Sequence, residues 1–145
     1  MNVTFCGHSN ISYSDDMKNL LRSQIELLIK SGAKQFYLGG YGAFDGLAAH
    51  TVNDLKKKHP QIKSTLVIPY LNRKYDIVDY YDDTVYPPIE HIPYRLAIIK
   101  RNEWMIDNSD ILIAYVDHTW GGAARTYAYA QRKGLEIINL YNIME

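Results

Sequence analysis

A glycine-rich turn between an apolar strand and a helix is the feature that most narrows what this chain can become. Residues 34–47 read Lys-Gln-Phe-Tyr-Leu-Gly-Gly-Tyr-Gly-Ala-Phe-Asp-Gly-Leu. Phe36, Tyr37 and Leu38 read as the end of a buried strand; Gly39, Gly40 and Gly42 follow, and Asp45 stands where it can cap the next helix. Such a turn lets backbone approach a ligand closely and aims free N–H groups at it. The helix N-terminus adds about 0.3–1 kcal/mol for an anion. A turn that merely needs positive φ would use the same residues. A second stretch weighs against that plainer account: the strand Asp110–Tyr115 runs into Asp117-His118-Thr119-Trp120-Gly121-Gly122-Ala123-Ala124 and another helix. Two glycine-opened helices at the same end of one sheet make a pocket suited to phosphate or ribose.

Taken in order, the chain alternates strands and helices. Asn2–Cys6 reads as a short buried strand ending in Gly7-His8-Ser9-Asn10. Ser12 or Ser14 can cap a first helix, and Asp15 and Asp16 suit its first turn. Met17, Leu20, Leu21, Ile25 and Leu28 recur at helical spacing, and Gly32 stops the helix. The second helix points Leu47, Ala48, Val52 and Leu55 inward and ends before Pro60. Ser64–Pro69 is a third strand and Thr84–Tyr86 a short fourth, with residues 70–83 read as loop plus at most a helical turn. Pro93 opens a helix to about Asn108, Ile111–Val116 is the fifth strand, Gly122–Lys133 the last long helix, and Glu136–Leu140 the closing strand. Near-continuous apolar strands between helices specify an α/β fold: a single-domain, Rossmann-like three-layer sandwich over residues 1–145 with a mainly parallel sheet. Ligands in such sheets bind beyond the carboxyl ends of the strands, where strand order reverses.

Composition bounds the function. Across 145 residues the chain is 47% hydrophobic and 22% charged, with zero formal net charge. No global field draws in nucleic acid or an anionic membrane, so both are disfavoured as partners. Lys56-Lys57-Lys58 falls at a helix end, where it complements the dipole. The lone Cys6 rules out an internal disulfide and reads as a small core residue rather than a nucleophile. Without an apolar run of about 20 residues or a signal peptide, a cytoplasmic protein is expected. Of thirteen tyrosines, Tyr41, Tyr70, Tyr86, Tyr115 and Tyr127 fall at strand ends or on the helix after Gly122. Packing accounts for most of them, and one or two could stack on a base.

Catalytic and binding motifs are sparse. GxGxxG is absent, since Gly40-Tyr41-Gly42 lacks the third glycine in register and follows the second strand. There is no Walker A motif and no His/Cys spacing of the kind that holds zinc, so no cofactor and no metal are expected. Asp76, Asp79, Asp82 and Asp83 read as a solvated acidic loop rather than a cation site. His8, just past the first strand, can donate to a ligand; His118 borders the second glycine pair. Arg101 and Asn102 sit on a helix whose start faces the ligand edge, and Arg125 and Thr126 in the first turn after Gly122. Each arginine suits a bidentate phosphate contact, or a salt bridge in solvent.

The ordered set Thr4-Phe5-Cys6-Gly7-His8, Leu38-Gly39-Gly40-Tyr41-Gly42-Ala43-Phe44-Asp45, Arg101-Asn102-Glu103-Trp104-Met105, Ser109-Asp110-Ile111-Leu112-Ile113-Ala114-Tyr115 and Gly121-Gly122-Ala123-Ala124 resembles the SLOG superfamily, nearest its YpsA-like (DUF1273) branch. The resemblance spans nearly the whole chain. It implies a Rossmann-like domain for nucleotides or nucleotide-derived ligands, related to DNA-processing protein A, to the Lonely Guy phosphoribohydrolases and to nucleoside deoxyribosyltransferases. It also implies frequent dimerisation, for which Trp104 and Trp120 are candidate apolar groups and a homodimer is the expectation. One departure matters. The Lonely Guy signature Gly-Gly-x-Gly-Thr-x-x-Glu, laid on Gly121 and Gly122, meets Ala124, Arg125 and Ala128 at its third glycine, threonine and glutamate.

The expected function is therefore binding or sensing of a nucleotide-derived small molecule, with Gly7, His8, Gly39, Gly40, Tyr41, Gly42, Asp45, Arg101, Asn102, Gly121, Gly122, Arg125 and Thr126 as its binding residues. The alternative is an N-glycosidase, phosphoribohydrolase or deoxyribosyltransferase-like enzyme with a relocated carboxylate. Asp45 and Glu103 are its catalytic candidates, because oxocarbenium-like chemistry needs an anion near the sugar C1′ and an acid for the leaving base.

Overall fold

The computed structural model describes residues 1–10, 12–75 and 80–144. Six strands form one all-parallel sheet in the order β4-β3-β2-β1-β5-β6. They are β1 (Asn2–Gly7), β2 (Gln35–Leu38), β3 (Lys63–Val67), β4 (Asp83–Val85), β5 (Ile111–Tyr115) and β6 (Glu136–Asn139). The helices are α1 (Asp15–Lys30), α2 (Gly42–Leu55), α3 (Ala97–Asp107), α4 (Gly122–Lys133) and a short α5 (Leu140–Met144). The chain steps outward from β1 through β2, β3 and β4, then crosses back so that β5 lies on the other side of β1. Strand order thus reverses between β1 and β5, whose register runs from Val3 opposite Ile111 to Gly7 opposite Tyr115.

The strand alternation sorts the core into two faces. Val3 and Phe5 of β1, Phe36 and Leu38 of β2, and Ile111 and Ile113 of β5 pack with α1 and α2, joined by Leu140. Cys6, Leu112 and Ala114 point the other way, onto Ile106 of α3 and Ala130 of α4. These are the three layers expected. Within α1, Ser14 accepts a 3.1 Å bond from the Met17 N–H as N-cap, and Met17, Leu21, Ile25 and Ile29 form the buried stripe. Leu20 and Leu28 are half-buried against it.

Differences from the sequence reading sit at element ends. The expected helix from Pro93 begins as a 3₁₀ turn, Tyr94–Leu96, before α3 proper. Strand β3 stops at Val67, and β4 begins at Asp83 and ends before Tyr86. Asp82 and Asp83 are anchored to β3: Asp82 accepts from the Ser64 N–H and pairs with Lys56, while Asp83 accepts from Thr65 and pairs with Lys63. Asp76 and Asp79 lie outside the described residues. Among the described residues, no helix is long and apolar enough to cross a membrane.

Candidate functional site

A cleft of about 330 Å³ opens at the carboxyl end of β1 and β5. Its walls are the end of β1 with residues Gly7–Asn10, the start of α2, one face of α3, and the loop and first turn leading into α4. The switch in strand order puts it there: the connections after β1 and β5 leave in opposite directions and part the helices above them.

Arg101 anchors one wall. It is only 3% exposed, yet its side chain reaches the cleft. Its Nη1 donates to the carbonyls of Gly39 and Val67, each at 2.8 Å, and its Nε donates to Asn102 Oδ1 at 2.8 Å. Nη2 has no hydrogen-bond partner among the described residues, and neither has the Asn102 amide nitrogen. A buried cation held from one side and open on the other is preorganised for an anion. Asp45 stands beside it, half-buried, accepting a 3.4 Å bond from the Tyr41 N–H back across the start of α2. Burial pushes the Asp45 carboxyl up to about 6, against the opposing pull of Arg101 and the Tyr41 amide.

The two glycine turns differ in what occupies the space a side chain would need. A Cβ on Gly39 would lie 3.1 Å from Asp45 Oδ2 and 3.2 Å from Arg101 Cζ, so this residue is glycine because the Asp45 and Arg101 side chains lie against it. On Gly40 it would lie 2.6 Å from Leu66, and on Gly42 2.4 Å from Ser9 Cβ and 2.9 Å from its Cα. Gly40 and Gly42 also have φ of +69° and +89°. At Gly121 (φ +93°) and Gly122 there is nothing within 4 Å of such a Cβ. Helix α4 begins there without a side-chain cap, its first internal bond running from the Arg125 N–H to the Gly121 carbonyl. The earlier amides are left for the cleft, which Gly121, Gly122 and Ala123 line. Helix α2 also lacks a side-chain cap at Tyr41, but its Ala43 N–H donates to the Ser9 carbonyl and its start is filled by protein.

His8 is buried, and its Nε2 is held by Asp117. Its Nε2 accepts a 3.1 Å bond from the Asp117 N–H and lies 2.9 Å from Asp117 Oδ1. Its ring stacks on His118 with centroids 3.7 Å apart, and His118 stacks in turn on the exposed Trp120 at 4.0 Å. The second nitrogen contact of Asp117 Oδ1 is with His118 Nδ1 at 2.6 Å. Burial and the neighbouring His118 pull the His8 imidazole below its ordinary value, against Asp117.

The structure brings Gly7, His8, Tyr41, Asp45, Arg101, Asn102, Gly121, Gly122 and Thr126 to one cleft. Gly39, Gly40 and Gly42 are not among its lining residues; they support it from beneath. Arg125 and Glu103 line an adjoining small groove between α3 and α4 instead, and Glu103 pairs with Lys100 at 3.2 Å. Of the five tyrosines, Tyr41 alone lines the cleft; Tyr70 and Tyr86 share a small cluster with Ile89, and Tyr115 packs edge-on against Tyr13. Trp104 packs edge-on against Tyr37, whereas Trp120 is exposed at the cleft rim. Cys6 lies at the cleft floor, and burial drives its thiol far above the ordinary range, which suits packing rather than attack. Ser9 and Asn10, past the end of β1, and Ile98 and Met105 of α3 also line the cleft, although none of them is among the expected binding residues. A helical stripe on α3 reaching Arg101 was the available signal for the last two.

A family model described as the YspA SLOG family matches residues 8–144. The chain belongs to this family. It is 30% identical to the SPbeta prophage-derived protein YoqJ of Bacillus subtilis, the match covering 74% of this chain and 75% of that protein. Among solved structures, DNA processing protein A of Helicobacter pylori, described for its single-stranded DNA binding mode, has a TM-score of 0.67 at 16% identity, covering 99% of this chain and 71% of its own. The molybdenum cofactor binding protein of Rippkaea orientalis has a TM-score of 0.61 at 16% identity, covering 94% and 73%. At such identities the two structures show that the fold is shared.

Proposed function

We propose that this family member binds a nucleotide-derived small molecule in the cleft between β1, β5, α3 and α4, as a carrier or sensor rather than a catalyst. One observation carries the reading. A buried arginine whose Nη2 has no partner among the described residues faces the same cleft as the uncapped N-terminus of α4. Donors from two elements then converge on one anionic group, the chemistry of a phosphate. Exposed Tyr41 and Trp120 offer faces for a planar ring, and Asp45 offers an acceptor for a sugar hydroxyl. The cleft volume matches one small ligand. Solved structures of this fold are described as binding a cofactor or single-stranded DNA. Zero net charge favours the small molecule over a nucleic-acid strand here.

Mass spectrometry of small molecules released from freshly purified, denatured protein tests the reading, together with thermal shift against nucleotides and their unphosphorylated nucleosides. A nucleotide-like mass, or stabilisation by nucleotides well above that by nucleosides, is expected. Equal or no stabilisation by both, with no ligand released, would refute it.

A second reading, N-glycosidic cleavage, has one observation in its favour: Asp45 faces the cleft with its carboxyl raised into the range of a general acid. Against it, the position that the glutamate of the Lonely Guy signature would take is Ala128. Chromatography of long incubations with nucleoside monophosphates and deoxyribonucleosides separates the two readings. Base release that disappears in Asp45→Asn would move the protein into the glycosidase class.

A further inference from the structure

Among the described residues, His8, Asp117 and His118 form the one group of three ligating side chains whose donor atoms all lie within 4.8 Å of each other. Both histidines place a ring nitrogen against the Asp117 carboxylate. The Asp117 N–H donates to His8 Nε2, which requires a lone pair on that nitrogen. The same nitrogen lies 2.9 Å from Asp117 Oδ1, an oxygen that has only lone pairs to offer. Nε2 has one in-plane lone pair, which can take the Asp117 N–H, a proton shared with Oδ1, or a metal ion, so a metal bound there replaces the amide contact. Oδ1 is also 2.6 Å from His118 Nδ1, so three ligating atoms converge on one point.

We propose that His8 Nε2, Asp117 Oδ1 and His118 Nδ1 form a binding site for a divalent first-row transition metal of the zinc type, its remaining coordination positions open to the cleft. Two imidazoles and a carboxylate suit zinc, cobalt, nickel or iron, whereas magnesium and calcium take oxygen ligands. Three protein ligands leave at least one position for water or an incoming ligand. His8 and His118 line the same cleft as Arg101, so that position faces the space assigned above to the ligand. Nitrogen–metal distances of about 2.0–2.1 Å require the two rings to splay from their near-parallel stack. His118 is half-buried on the loop before α4, stacked between His8 and Trp120, so binding the metal has to open that stack.

The inference goes beyond nucleotide binding and does not depend on it, because the metal is probed alone. Tag-free protein is stripped with a chelator, dialysed, and titrated with Co²⁺ followed by its visible d–d bands, and with Zn²⁺ by calorimetry. One-to-one saturable binding with bands of low-coordinate cobalt is expected. Asp117→Asn and His118→Gln should each weaken it by about tenfold or more at unchanged circular dichroism. His59→Gln, at a remote pair with Glu26, should leave it intact. Should His8→Gln fail to fold, His118→Gln, on the surface loop, still decides the question. Absence of binding by both metals, or wild-type affinity in Asp117→Asn and His118→Gln, would overturn the proposal and leave a proton as the bridging charge.

Discussion

The turns at residues 39–42 and 121–122 look alike in sequence and do opposite work in the fold. The first is a packed joint. Its glycines exist because Arg101, Asp45, Leu66 and Ser9 take the space a side chain would need. The second is an open edge, with empty space where a Cβ would go and a helix start that protein leaves uncapped. A glycine pair after a strand therefore signals a need for no side chain, and only the surroundings tell whether protein or ligand imposes that need. Here the first turn holds the arginine in place, and the second presents the amides that complete the anion site.

Breaking the first turn should cost the most. Gly42→Ala places a methyl against Ser9 backbone at positive φ, combining left-handed strain with overpacking, for about 3 kcal/mol of destabilisation. That corresponds to a melting temperature lower by about 10 °C, read by differential scanning calorimetry. If Gly42→Ala melts with the wild type, the joint is looser than its contacts imply. The opposite pattern is expected at the second turn. A Cβ at Gly122 meets no atom within 4 Å, so the melting temperature of Gly122→Val should stay within about 2 °C of wild type. Its nucleotide affinity, read by calorimetry, should fall about tenfold, or about 1.4 kcal/mol, because the new side chain occupies the ligand's approach to the amides.

A more gradual effect belongs to Asp45. Its folded-state value is raised from the ordinary 3.8 to about 6, so the folded state binds its proton more tightly than the unfolded chain does. Its contribution to stability is then complete below pH 3.8 and is lost as pH rises through 6. In Asp45→Asn, melting temperature should depend less on pH between 4 and 7 than in wild type. Parallel curves would mean that the carboxyl is better hydrated than its place beside Arg101 implies.

Much of this architecture could be read from residue order. The Met17-Leu21-Ile25 spacing and Ser14 define α1, and apolar strands alternating with helices define the parallel sheet and the edge where the cleft lies. Composition and local spacing carry less about the cleft itself. Gly40 and Gly42 announce a tight turn, but nothing near them in sequence reveals that Leu66 and Ser9 fill it. Arg101 lies 62 residues from the Gly39 carbonyl it holds, so its burial is a product of topology. His8 and Asp117 are 109 residues apart and meet only because β1 and β5 are neighbours. Glu103, a neighbour of Arg101 in sequence, turns to the α3–α4 groove because successive helical positions point about 100° apart.

The most direct measurement of the contrast between the two turns is amide chemical-shift mapping of the ¹⁵N-labelled protein during titration with a nucleoside phosphate. The largest shifts should fall on Gly121, Gly122 and Ala123 and on the Arg101 side-chain Nε–H, with Gly40 and Gly42 nearly unmoved. Strong shifts at Gly40 and Gly42 with Gly122 silent would place the anion at the wrong turn and contradict the account.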